Sequence, residues 1–78
     1  GMNQFDRIIS DPAILDGQPI ITGTRLTVRR VLAMLGQYPS RAAIRADYPQ
    51  LDDEAIEQAL AYAAAQLEDR VVPLRPGT

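Results

Sequence analysis

Apolar positions along the chain change their spacing near residue 27. Before that point they fall in short runs broken by turn residues. Phe5-Asp6-Arg7-Ile8-Ile9-Ser10 reads as a short strand. Asp11-Pro12 ends it, because proline has no amide hydrogen to donate and restricts the residue before it. Asp16-Gly17 is a turn pair, Pro19-Ile20-Ile21-Thr22 a second extended piece, and Gly23-Thr24 a tight turn before a third piece, Arg25-Leu26-Thr27. Residues 5–27 predict an arm of short strands rather than a full sheet. A lone hairpin is marginal in water, so the arm needs helices or a second copy to pack on.

After Thr27 the period is helical. Thr27 suits an N-cap, and Val28, Val31, Leu32 and Leu35 follow at i, i+3, i+4 and i+7, with Arg29 and Arg30 turned away. Gly36 is the expected stop, and Pro39 forbids continuation. Ser40 caps a short second helix that turns Ala43 and Ile44 inward and stops before Tyr48-Pro49. Asp52 opens a longer third helix, with acids in the first turn where the helix dipole favours them. This helix carries two adjacent stripes: Ile56, Leu60, Ala63 and Leu67 in one, and Ala55, Ala59, Tyr62 and Gln66 in the other. Two stripes suggest one face for the core and one for a partner. The fold class expected is mainly α: a three-helix, helix-turn-helix core behind a short β-rich N-terminal arm. Residues 2–70 read as one such domain, residues 71–78 as a flexible tail, and Gly1 ahead of Met2 as a scar of tag cleavage.

Composition narrows the chemistry. The 78 residues include neither cysteine nor histidine. That removes thiolate and imidazole metal ligands, the Ser-His pair and the ordinary general base near pH 7. No catalytic constellation is present, so we expect no enzyme, no metal and no cofactor. A domain this small without a disulfide or metal staple is expected to dimerise. The lack of cysteine suits a cytoplasmic location, and no apolar run reaches the roughly 20 residues of a membrane span.

The net charge of −2 hides a strong segregation. Between Gly17 and Ala46 lie Arg25, Arg29, Arg30, Arg41 and Arg45 with no acid. From Asp47 to Asp69 lie Asp47, Asp52, Asp53, Glu54, Glu57, Glu68 and Asp69 with no base. Either the arginine segment faces phosphate or an acidic partner, or the two segments pair with each other. The acids at the start of helix three would be repelled by a DNA backbone. The expected nucleic-acid residues are therefore Arg29, Arg30, Arg41 and Arg45, from helices one and two, with Arg7, Arg70 and Arg75 as additions. Asp52, Asp53, Glu54 and Glu57 are consecutive or near-consecutive on a helix, point around its axis, and read as capping rather than as a metal cluster. Gly17 and Gly23 read as turns needing positive φ, not as a phosphate loop. Tyr38, Tyr48, Tyr62 and Phe5 read as core or interface anchors. Dimer or partner contact is expected at Ile20, Arg25, Ala55, Ala59 and Tyr62.

From Asp11-Pro12 onward the chain resembles a bacterial and archaeal family of short proteins known as a domain of unknown function. The resemblance is carried by Gly17-Gln18-Pro19-Ile20-Ile21-Thr22-Gly23-Thr24-Arg25, a Gly-x-Pro-x-Ile-x-Gly-Thr-Arg core. Leu26-Thr27-Val28, Ser40 with Ile44, Tyr48-Pro49-Gln50-Leu51 and Ile56 to Ala63 add to it. The resemblance implies a homeodomain-like helix-turn-helix and a homodimer. It also implies an antitoxin-like regulator of a type II toxin–antitoxin pair, with a PIN-like nuclease toxin as partner and operator DNA as a further expected ligand. A dimerisation or protein-interaction module without nucleic-acid binding is the alternative. One departure stands out: relatives carry glycine just before the serine that caps helix two, where this chain has Tyr38-Pro39.

Overall fold

A computed structural model describes residues 5–68. The elements run β1 (Ile8–Ile9), β2 (Ile20–Ile21), α1 (Val28–Gln37), α2 (Arg41–Asp47) and α3 (Asp53–Glu68), with a 3-10 turn at Leu15–Gly17. The fold is mainly helical, with one small sheet near the N-terminus. Gly1 and the expected tail over residues 71–78 lie outside the described residues.

The arm is shorter in regular pairing than its sequence suggests. β1 and β2 are antiparallel, with Ile8 opposite Ile21 and Ile9 opposite Ile20. The third extended piece contributes a single bridge, Thr27 to Ile20. The chain reverses through Ile21–Thr24, where the Thr24 N–H donates to the Ile21 carbonyl at 3.0 Å. Gly23 sits at φ +80° in the third position of that turn, a conformation glycine adopts without a Cβ clash. The Thr24 hydroxyl donates to the Ile21 carbonyl at 2.8 Å and accepts the Leu26 N–H at 3.0 Å. The Gly-Thr pair is thus a turn clip, and Arg25 projects from it into solvent.

All three expected helix starts are present. Thr27 accepts the Arg30 N–H at 3.0 Å, Ser40 accepts the Ala43 N–H at 3.1 Å, and Asp52 accepts the Ala55 N–H at 2.9 Å. The stop of α1 differs. Gly36 lies inside the helix, which runs to Gln37 and closes when the Tyr38 N–H donates to the Met34 carbonyl. Pro39, not Gly36, ends it.

The core joins Ile8 and Ile21 of the arm to Val31 and Met34 of α1, Ile44 of α2, Leu51, and Ala55, Ile56 and Ala59 of α3. Met34 takes the central place on α1, while Leu32 and Leu35 are half-buried beside it. On α3 the expected division into two stripes is rotated. Ala55, Ile56 and Ala59 are fully buried, whereas Leu60 and Leu67 are exposed. No helix among the described residues is long and apolar enough to cross a membrane.

Candidate functional site

Two arginines are held by the first turn of α3. Arg7, just before β1, grips Asp52 with both terminal nitrogens, at 3.0 and 2.9 Å, and reaches Glu54 at 3.2 Å. Its backbone N–H donates to Gln58 Oε1 at 2.8 Å, and Gln58 Nε2 donates to Asp6 at 2.7 Å. Arm and helix are therefore clasped at both side-chain and backbone level. The Arg7 guanidinium, and then the Ala55 N–H, hold the Asp52 carboxyl below its ordinary pKa, and Arg7 itself is raised chiefly by its hydrogen bonds to Asp52. On α2, Arg45 pairs with Asp53.

The other cations are placed differently. Arg25, Arg29, Arg30 and Arg41 form no ion pair among the described residues. Arg29 and Arg30 are exposed on the first turn of α1, and Arg41 opens α2. Of the four arginines expected to meet nucleic acid, three remain available and Arg45 is engaged within the chain. At the far end of α1 the Tyr38 hydroxyl donates to Asp47 at 2.8 Å. That bond is the main cause of a raised Tyr38 pKa.

The residues expected to meet a partner are redistributed. Ile20, Ala55 and Ala59 have 1%, 0% and 0% of their surface exposed, all of it covered by their own chain. They offer nothing to a second one. The cause is the crossing of α3 over the arm and α1, which uses the small alanine faces for close approach. Arg25 stays exposed, and Tyr62 is half-buried, edge-on to Phe5 at 5.5 Å between ring centroids.

An apolar groove of about 330 Å³ runs along the outer part of α3 and takes in Tyr62, one of the expected partner residues. Its walls are Pro19 from the arm, Val28 and Leu32 from α1, and Tyr62, Ala63 and Leu67 from α3. Gln18, Arg29 and Gln66 are its polar members. The groove exists because α3 outruns its cover. Its 16 residues span ~24 Å, against ~15 Å for the 10 residues of α1. The sequence signal was the length of the two stripes of helix three, which run on to Gln66 and Leu67, against the single short stripe of helix one from Val28 to Leu35. The other flank of α3 forms a depression of about 470 Å³ with an alanine floor (Ala61, Ala64, Ala65) and Glu54 and Glu57 at its sides.

The family model of a protein of unknown function, DUF433, matches residues 8–63, from β1 well into α3. The chain belongs to the DUF433 family. The match includes the turn clip, both short helices and the Arg7-binding end of α3, but Arg7 itself stands just before it. It also stops short of Gln66 and Leu67, so the outer part of the groove lies beyond the matched residues. No curated protein and no solved structure matches the chain.

Proposed function

We propose that this DUF433 chain is an antitoxin-like regulator of a type II toxin–antitoxin pair. In this reading its three helices act as a homeodomain-like helix-turn-helix, it works as a dimer, it binds a PIN-like nuclease, and it binds operator DNA. The observation that carries the nucleic-acid half is the division of the arginines. Arg7 and Arg45 are paired with acids of α3, while Arg29, Arg30 and Arg41 form no ion pair among the described residues. Unpaired guanidinium groups are the ones that can release counterions from a phosphate backbone. The protein half is supported by the apolar groove.

The test is a gel shift on upstream DNA across a salt series, with co-expression of any nuclease encoded by the neighbouring reading frame. Arg30→Ala with Arg41→Ala is expected to weaken binding on all sequences alike and to lower the salt slope by about two. Absence of a shift at low salt, or a shift indifferent to salt, defeats the DNA half. A second reading, a protein-interaction module without nucleic-acid binding, is favoured by the acidic start of α3 together with the groove. It is upheld if the nuclease co-purifies while DNA never shifts.

A further inference from the structure

Val28 is 5% exposed and Leu67 is 64% exposed, yet both line the same groove. The groove is thus the hydrophobic core continued outward past the point where α1 and the arm can close it. Among the described residues Arg29 is the only charged one lining it, and it forms no ion pair with any of them. Whatever covers the apolar walls also removes water from that guanidinium, and an arginine losing water without a carboxylate is costly.

The geometry points to this groove as the docking site for an apolar, carboxylate-bearing segment of a partner protein. This rests on the protein-partner half of the reading above. The volume suits a few large side chains from one helix or strand, laid along α3, with a glutamate or aspartate set against Arg29. A second copy of the chain fits less well. Its exposed acids Glu54 and Glu57 lie on the opposite flank of α3 from Ala63 and Gln66. A two-fold pair of antiparallel α3 helices packed through this groove brings like flanks together, which leaves Glu54 and Glu57 of both copies on the flank away from Arg29.

The test uses the full chain, labelled with nitrogen-15, and three synthetic helical peptides as probes. The first carries two leucines four residues apart flanked by glutamates, the second replaces the glutamates with lysines, and the third replaces the leucines with serines. The glutamate peptide is expected to shift the amide signals of Val28–Leu32 and Tyr62–Leu67, with the other two binding at least about tenfold more weakly. Arg29→Glu is expected to reverse the order of the first two, and Leu67→Ser to abolish the response. Both positions are exposed, and circular dichroism checks that each variant stays folded. Silence of the groove amides at millimolar peptide overturns the proposal, as does equal binding of the glutamate and lysine peptides. Groove signals that move with protein concentration alone, with a doubled mass, overturn it in favour of a second copy. Nuclear Overhauser contacts from Val71–Leu74 to the Val28 or Leu32 methyl groups overturn it in favour of the chain's own end. If the nuclease co-purifies with wild type, Arg29→Glu and Leu67→Ser alike, the groove assignment fails and the antitoxin-like reading stands. If the peptide binds as expected and no nuclease does, the reverse holds.

Discussion

Adding one methyl group at each of two glycines should change stability in opposite directions. Gly36 lies within α1, its φ is not in the left-handed region, and a Cβ built there meets nothing within 4 Å. Gly36→Ala therefore adds no clash and removes backbone freedom from the unfolded chain, a gain of about 0.5–1 kcal/mol. The lower end is the better figure, because Gly36 is the penultimate residue of its helix. Gly23 also has open space around it, but its φ is +80°. There the alanine pays about 1–2 kcal/mol for the left-handed backbone, offset in part by the unfolded-state term, for a net loss near 1 kcal/mol. In a domain of this size each kcal/mol moves the melting temperature by roughly 4–8 °C. Thermal melts followed by far-ultraviolet circular dichroism should thus rise by a few degrees for Gly36→Ala and fall by several for Gly23→Ala. The sequence alone casts Gly36 as the helix stop, which implies a loss instead. A destabilised Gly36→Ala protein would show that α1 ends at Gly36 and that Pro39 is not what halts it.

Leu15 and Asp16 both have positive φ, at 48° and 59°, and Leu15 is exposed. Leu15→Asn, which tolerates that region, should stabilise the chain by about 0.5–1 kcal/mol in urea unfolding; no change would mean that the turn relaxes. Asp52 has a lowered folded pKa, so the stability it contributes is present above its unfolded value and is lost as pH falls through the folded one. Stability measured from pH 7 down to pH 2 should therefore fall less steeply at the acid end for Asp52→Asn than for wild type, and parallel curves would refute the clasp. Tyr38 is raised, so its contribution is present below its unfolded pKa and lost as pH rises through the folded one. In an ultraviolet titration Tyr38 should ionise above the ordinary value for a tyrosine, and Asp47→Asn should remove that delay; an unchanged profile in the variant would refute the bond.

Legibility of the fold in the sequence tracks the range of each interaction. The caps at Thr27, Ser40 and Asp52 could be read because an N-cap bonds an amide two or three residues along its own chain. The turn role of Gly23 was legible for the same reason. Gly36 was misleading because a glycine near a helix end stops it only if its φ is positive, and that is a matter of conformation. The two stripes of α3 were both visible, but which is buried depends on how α3 crosses α1 and the arm, and composition is silent on that crossing. Ala55 and Ala59 consequently moved from the expected partner surface into the core, and Leu60 and Leu67 moved outward. The Arg7 clasp joins residues 45 positions apart, beyond any local rule, and so the first turn of α3 looked merely capped and solvated.

That clasp alters the weight of the acids themselves. Read along the chain, the run at the start of helix three argues against a nucleic-acid role, since carboxylates beside phosphates repel them. In the fold, Asp52 and Glu54 share Arg7, Asp53 holds Arg45, and Asp47 accepts the Tyr38 hydroxyl. Arg7 and Arg45 thus balance two of the four negative charges of Asp52, Asp53, Glu54 and Glu57, while the neutral Tyr38 hydroxyl leaves the charge of Asp47 in place. The same pairings withdraw Arg45 from the cations expected to meet DNA. The charge segregation therefore resolves into two parts: a structural half, in which α3 acids fix the arm and α2, and an available half on the first turns of α1 and α2. Arg29 can serve either a phosphate or a carboxylate in the groove, whereas Arg30 and Arg41 do not line that groove. Substituting Arg30 and Arg41 together, and Arg29 separately, is thus the comparison that separates a nucleic-acid surface from a protein-docking one.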